Sequence, residues 1–557
     1  MVGAVTLGAL PPSSAAAPVP ELPPPGLVVD VGRVVRPINQ RLIGIHGRDD
    51  ADAIRSEFDD LDPTTFRHVM SEHDFLAYDC ETDELSSDSL DYFDSWLDAV
   101  YAEHAVPILS LSYVPRCYAR DGQPKGPPSD ARGYRRFLDQ LLARLVTQRV
   151  AAGKAPLRRL ELWNEPDLPL FADSPEAGHG YVGTLDEFLT ANLPVLVAAI
   201  QQAEADSGEE ILVGAPASFS PWPFTRYGAT FADILADVNG FPRAEAEAMA
   251  PALEAGFGPG SGERIMHNGG LTWPAGVRSA ARGLGIPIAF VSVHLYPNAP
   301  LVNLDLPEPV SPVLLTGRNP GASPDDFAEL ARAWGDAFGD TELIVSEWAL
   351  SAGVDDRFGT CEAAAFDAAA LSVMQETTID RALYLGRPRA IEAAPFRAWR
   401  SLPEQQVVAE GPATGDGIWT TAAANDDRTT VLVSQWRSLL SDATRTRLPV
   451  RIEGLEAGAY SVVVESIGEA HQQTAGSRSF HVDIDDGAFE LDEPIVLDGQ
   501  AMVRVDIRRD GVEPLPSLSV GPGAGQPGTC LPIAEPVDRA PAPAPASGRS
   551  GVPGYTG

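Results

Sequence analysis

At 557 residues the chain exceeds one ordinary domain, and a large barrel plus a smaller domain fits that length. Its 44% hydrophobic and 21% charged content is that of a globular protein, and no run reaches the ~20 apolar residues of a membrane span. A formal net charge of −37 argues against nucleic acid and anionic membranes as partners and suits a secreted or salt-adapted protein, although the Arg-rich, Lys-poor, Ala-rich usage is equally explained by genome composition.

Residues 1–26 are rich in alanine and proline and begin with a short apolar run, Val2 to Leu10. Ala15-Ala16-Ala17 suits a signal cleavage site, but no basic residue precedes Arg33, so the segment reads as a start-trimmed signal peptide. A disordered leader is the alternative. Residues 27–400 alternate short apolar segments with helical patterns, the signature of βα units and a parallel sheet. Candidate strands are Arg41–Ile45, Phe66–Met70, Pro107–Leu111, Arg159–Trp163, Ile211–Ala215, Ile288–His294, Leu343–Glu347 and Ile379–Tyr384. These are eight, the number that closes a (β/α)8 barrel.

Between them, Leu90, Phe93, Leu97 and Val100 form one helical stripe, and Tyr134, Phe137, Leu138, Leu141, Leu142 and Leu145 another. Ser323-Pro324-Asp325-Asp326 predicts a helix with Ser323 as N-cap and proline at its first position. The connections 216–287 and 297–341 are long and leave strand C-terminal ends, where insertions shape pockets. The first carries Trp222, Phe224, Tyr227 and Trp273, each open to sugar stacking or to local packing.

From 401 to 510 the pattern shifts to period two. Thr429–Gln435, Arg445–Ile452, Tyr460–Ser466, Phe480–Ile484 and Met502–Ile507 predict an antiparallel β-sandwich, which Leu27–Val34, within 27–37, could join. Residues 511–557 read as a disordered Pro/Ala/Gly-rich tail. Among four cysteines, Cys80 and Cys117 fall near neighbouring strand ends, leaving a disulfide or two free thiols open. No Cys/His spacing reads as a zinc site, and no cofactor is expected.

The chemistry concentrates at two strand ends. Leu160-Glu161-Leu162-Trp163-Asn164-Glu165-Pro166 leaves Glu165 at the tip of the fourth strand, and Leu343-Ile344-Val345-Ser346-Glu347-Trp348 leaves Glu347 at the tip of the seventh. Strand C-terminal tips build the active site of a (β/α)8 barrel, and two opposed carboxylates are the equipment for cleaving a glycosidic bond. Glu347 is expected to be the ionised nucleophile. Glu165 is expected to start protonated, since burial and a neighbouring carboxylate favour its neutral form, and to act as acid and then base. Asn164 is placed to bond a sugar hydroxyl. His294 and Tyr296 share one strand face as a pocket pair, and Arg116, after strand three, suits a substrate carboxylate or a structural ion pair.

Trp163-Asn164-Glu165-Pro166 resembles the acid/base motif of the glycoside hydrolase clan with (β/α)8 barrels, and within it the chain looks most like family 39, which contains β-xylosidases and α-L-iduronidases. Val291-Ser292-Val293-His294-Leu295-Tyr296-Pro297 resembles that family's strand six, Pro107–Ser112 its strand three and Val213–Ser218 its strand five. The resemblance covers roughly residues 27 to 510. It implies a secreted, retaining O-glycosidase acting on an oligo- or polysaccharide, β-xyloside first, with His294 and Tyr296 lining the sugar subsite. Strand two of the family carries Arg-x-His; here Ser71-Glu72-His73 stands instead, so only His73 carries over, and Arg67 is the candidate substitute. Strand eight lacks the family's tryptophan: Tyr384-Leu385-Gly386-Arg387 stands there. A transglycosylase with the same residues and an inactive carbohydrate-binding barrel are the rival readings.

Overall fold

The computed structural model describes residues 26–518 apart from most of 48–60 and 220–241, and 71–77, 168–179, 258–270, 298–321, 352–356, 389, 413–416, 439–444 and 469–475. Eight strands close into a parallel barrel, each beside its sequence neighbour: β1 (Gly44–His46), β2 (Thr65–Met70), β3 (Val106–Leu111), β4 (Arg159–Glu161), β5 (Leu212–Gly214), β6 (Ile288–Leu295), β7 (Glu342–Trp348) and β8 (Ile379–Leu385). All eight expected strands are present. The first is displaced by a 3-10 turn at Gln40–Leu42, which the side chain of Asn39 caps by accepting from the Arg41 backbone N–H.

Inside the barrel, side chains alternate with period two and stack in layers. At the bottom, Glu342 accepts from Arg159 and Arg381, each at 2.7 Å. Above it, Ile108, Phe290, Ile344 and Leu383 make one apolar layer. Gly214 leaves room for the Phe290 ring. A Cβ there would fall 2.1 Å from Phe290 Cε2.

The helical stripes become α1 (Ser87–Ala102) and α2 (Ala131–Leu142), which bury those residues against the barrel, Leu90 only partly, with Leu145 buried on the π-helical continuation Ala143–Gln148. The helix expected from Ser323 begins later, as α3 (Asp326–Phe338). Its first turn is wound with i→i−3 bonds, among them Asp326 N–H to the Ser323 carbonyl at 3.1 Å. Ser323 still organises the entry, its Oγ accepting from the Asp325 N–H at 3.1 Å. The two-residue delay is therefore a tightened N-terminus.

Nine further strands form a mostly antiparallel sheet beside the barrel. Leu27–Pro37 joins it, antiparallel to Gln405–Glu410 and parallel to Val450–Glu453. The single strand expected over Arg445–Ile452 is split at Pro449. A proline has no N–H for the ladder, so Arg445–Leu448 pairs instead with Ile495–Asp498 as a two-stranded ribbon. Leu448, Ile495 and Leu497 share one apolar core with Val431, Val462 and Val505 of the large sheet. The tail expectation gives way over residues 511–518. Leu518 is buried, its N–H and the Ser517 hydroxyl both donate to Glu465 Oε1, and the Pro516 carbonyl accepts from Arg504.

Helix α4 (Cys361–Gln375) explains how barrel and sheet hold together. All fifteen of its residues are buried. It is apolar all round because it lies between the two bodies, with Phe366 edge-on to Trp436 of the sheet domain at 5.2 Å. Cys80 and Cys117 are joined in a disulfide, and Cys361 is disulfide-bonded as well.

The barrel layer yields a test. Gly214→Ala should destabilise the protein by about 1–3 kcal/mol through overpacking against Phe290, read as a lower midpoint in urea unfolding with an unchanged slope.

Candidate active site

Two local departures from regular strand geometry aim the two glutamates. Along β7, Glu342 and Ile344 face the barrel interior, so strict alternation would send Ser346 inward and Glu347 out. The register against β6 shifts between Val345 and Glu347, and the shift turns Glu347 into the mouth opposite His294. At the end of β4 the backbone takes positive φ twice, 111° at Trp163 and 48° at Glu165. Such values are costly for residues with a Cβ and persist where the surroundings over-determine them. They swing Trp163 out to pack edge-on against Tyr181 and Phe188, its Nε1–H donating to the Gly180 carbonyl at 2.9 Å. Asn164 and Glu165 are left on the pocket side. The Asn164 N–H donates to Ser112 Oγ at 2.7 Å, and the Glu165 N–H to the Ala217 carbonyl at 2.8 Å.

Arg67, on β2 and 1% exposed, ties these tips together. Its Nε and Nη2 donate to Glu161 Oε1 at 3.1 and 2.5 Å, and Nη2 also donates to Asn164 Oδ1 at 2.7 Å. Its Nη1 donates to Glu347 Oε1 at 2.7 Å and lies 3.3 Å from His46 Nδ1. Burial alone would depress the guanidinium, but Glu161 and then Glu347 outweigh it and hold Arg67 above its ordinary value. Since arginine only donates, the contact fixes the Asn164 amide with its oxygen towards Arg67 and its NH2 turned away.

Around the carboxylates, the Tyr296 hydroxyl donates to Glu347 Oε2 at 2.7 Å. Burial first, then the charges of Glu347 and Glu165, push Tyr296 well above the usual phenol range and keep it a donor. His294 spans the pair, with Nδ1 2.6 Å from Glu165 Oε1 and Nε2 3.4 Å from Glu347 Oε1. His46 Nε2 stands 3.2 Å from Glu347 Oε1. Burial, the largest influence, lowers His46 to about 3, although Glu347 opposes it. The ring is therefore neutral. Nδ1 lies 3.2 Å from the Arg67 carbonyl and 3.3 Å from Arg67 Nη1; because Glu347 can only accept and Arg67 Nη1 can only donate, we assign the one ring proton to Nε2 and leave Nδ1 as an acceptor.

One carboxylate oxygen of Glu165, a ring nitrogen of His294 and a carboxylate oxygen of Glu347 lie within 4.8 Å of one another. Among the described residues this is the one such set of donors with metal-binding reach. Arg67 already supplies the positive charge that a cation would bring to Glu347, so the set suits proton transfer and nucleophilic attack by a carboxylate better than a metal.

Glu165, Glu347, Asn164, His294 and Tyr296, all expected from the sequence, thus meet in one buried cluster, and Arg67, the candidate substitute on strand two, joins them. His73, Trp222, Phe224 and Tyr227 lie outside the described residues. Trp273 is a fully buried core residue, set between Tyr181 and Phe188, so local packing accounts for it. Arg116 is exposed. Tyr384, in place of the family's tryptophan, is buried against Trp348 and donates to Glu392 at 2.6 Å. His46, Glu161 and Ser112 were not anticipated. A charged residue at an inward position of a short strand was the available signal for Glu161, because it requires a buried partner of opposite sign.

No protein-family model matches the chain, and no curated protein matches it in sequence. Solved structures do. The glucosidase of Croceicoccus marinus superposes with a TM-score of 0.57 at 15% identity, over 88% of this chain and 100% of that one. The GH39 enzyme of Xanthomonas axonopodis pv. citri gives 0.59 at 15% identity, over 88% and 99%. A β-xylosidase of Caulobacter crescentus CB15 gives 0.56 at 15% identity, over 87% and 99%. The chain shares its fold with these three enzymes. At such identities the likeness speaks for the barrel with its accessory sheet, and the chemistry rests on the site itself.

His46 sets a pH dependence. Its folded value lies below its unfolded one near 6.5, so the unfolded chain takes up a proton that the folded chain refuses. The stability it contributes is complete above pH ~6.5 and is lost as pH falls towards 3, by up to about 1.4 kcal/mol per pH unit. Urea unfolding of wild type and His46→Gln between pH 7 and 4 should show a steeper acid loss in the wild type by about that slope.

Proposed function

We propose that the chain is a retaining glycoside hydrolase. The observation that carries this reading is that one carboxylate oxygen of Glu165 lies within 4.8 Å of one carboxylate oxygen of Glu347. Retaining pairs stand about 5–5.5 Å apart, whereas inverting pairs need roughly 6.5–9.5 Å to admit a water.

The surroundings assign the roles. Glu347 accepts from Arg67 and from Tyr296, contacts that favour its ionised form, so it attacks the anomeric carbon. As the glycosidic bond breaks, Glu165 gives its proton to the leaving oxygen. The sugar is then held as an ester of Glu347, and Glu165 is a carboxylate. Glu165 next takes a proton from water, whose oxygen attacks the anomeric carbon and releases Glu347. His294, 2.6 Å from Glu165, is placed to donate to that carboxylate between the two steps. Asn164, with its oxygen held by Arg67, presents its NH2 to a sugar hydroxyl.

A β-xyloside is the first substrate class to test, in keeping with the family 39 resemblance and with the β-xylosidase among the structural neighbours. Secretion is part of the proposal. The Cys80–Cys117 bridge and a disulfide-bonded Cys361 support folding in an oxidising compartment. A binding barrel without turnover is disfavoured, because holding two buried carboxylates this close on a strained backbone is costly and sugar binding alone does not call for the pair.

Two measurements test the reading. Incubation with a 2-fluoro xylosyl fluoride or its glucosyl counterpart should leave a covalent label on Glu347, located by mass spectrometry; label on another carboxylate contradicts the assignment. Glu165→Ala should lower kcat/KM on substrates with poor leaving groups by about 10²–10⁴. Added azide should restore turnover on aryl glycosides by forming a glycosyl azide.

A further inference from the structure

Glu161 has no place in the reaction as described, yet it is fully buried inside the barrel mouth. Its Oε1 takes two of the Arg67 bonds, at 3.1 and 2.5 Å. Its Oε2 makes no hydrogen bond among the described residues. The charge of Glu161 is thus directed at Arg67. All five N–H groups of that guanidinium have an acceptor: Glu161 takes two, and Asn164, Glu347 and His46 one each.

Two carboxylates therefore share one buried cation, and the retaining reaction treats them differently. When Glu347 attacks, a bond forms from its oxygen to the anomeric carbon and the bond to the leaving oxygen breaks. The leaving oxygen takes the proton of Glu165. The negative charge passes from Glu347 to Glu165, and the ester left at Glu347 is neutral. Arg67 loses one anionic partner at that moment. A buried cation without a partner is strongly unfavourable.

We propose that Glu161 is a positioning residue, the standing counter-charge that keeps Arg67 paired and in place while Glu347 is esterified. The inference rests on the retaining reading. Glu161 also divides the pull of Arg67, so that Glu347 is held in position without being over-stabilised as an anion. Removing the Glu161 charge leaves Arg67 wholly committed to Glu347. That makes Glu347 a weaker nucleophile and, once esterified, a better leaving group.

The groups facing Glu347 are Arg67, His46, His294, Tyr296 and Glu165. Of these, His46 is neutral over the working range and Tyr296 stays protonated. The acid limb of the pH profile should then report Glu347 with Arg67 and the Glu165–His294 pair beside it. Glu161→Gln keeps the shape and an oxygen acceptor but removes the charge.

The experiment compares wild type, Glu161→Gln and Glu161→Asp on 4-nitrophenyl β-xyloside, or on the aryl glycoside that wild type cleaves fastest. In Glu161→Gln the acid limb of kcat/KM should move about one unit to lower pH. Labelling of Glu347 by the 2-fluoro glycosyl fluoride should slow at least tenfold, and the label should be lost faster than from wild type. Glu161→Asp keeps the charge, so its acid limb and label lifetime should stay at wild-type values. If Glu161→Gln does not fold, the aspartate variant decides: a wild-type label lifetime supports the role and a shortened one overturns it. A folded Glu161→Gln with an unshifted limb and an unchanged label lifetime overturns the proposal while the retaining reading stands. No label on wild-type Glu347 overturns that reading and this role together.

Discussion

The guanidinium of Arg67 is the contact on which the site depends. It is buried on β2 and bonded to side chains from β1, the tip of β4 and β7. A planar fork with five fixed donors holds its acceptors at set directions and distances, which a flexible ammonium would not do. Asn164 and Glu347 are thereby fixed to opposite ends of one rigid group. Glu165 follows Asn164 in the chain, so its position relative to Glu347 is set by the same group. Burying this cation is tolerable because two carboxylates share it, and the burial strengthens every bond it makes.

The backbone supplies the second constraint. A regular barrel presents every other residue to its interior, and by that rule Glu347 would point outward, while on the fourth strand Trp163 would occupy the inward place that Asn164 needs. The register shift after Val345 turns Glu347 inward, and the positive φ values at Trp163 and Glu165 turn the fourth tip. The strain is held by what surrounds it. Trp163 is wedged among Tyr181 and Phe188, and the N–H groups of Asn164 and Glu165 are bonded to Ser112 and Ala217. Packing behind the barrel wall therefore maintains geometry in front of it.

Much of this was legible in the sequence. Short apolar runs separated by helical stripes located all eight barrel strands, because a closed parallel sheet covered by helices buries both faces of its strands. Trp163-Asn164-Glu165-Pro166 and Ser346-Glu347-Trp348 located both carboxylates, and the spacing of His294 and Tyr296 put them on one face. What the sequence hid depends on distance in space. The partnership of Arg67 with Glu161 and Glu347 spans 94 and 280 positions, beyond any local pattern. His46 ends a strand of three residues, too short to show a face. Pro449 was a visible breaker inside an expected strand, and its missing N–H does divide that strand between two sheets. Trp273 carried no sign that its loop would become a helix pressed into the core.

The central claim is that the Arg67 clamp holds Glu165 and Glu347 at a separation suited to two successive displacements at one carbon. The most direct measurement is the configuration of the first sugar released, followed by proton NMR before the anomers equilibrate. The account predicts that the initial product has the same anomeric configuration as the substrate. An initial product of the opposite configuration would contradict it, because a single displacement by water needs a wider gap than that between carboxylates whose nearest oxygens lie within 4.8 Å of each other.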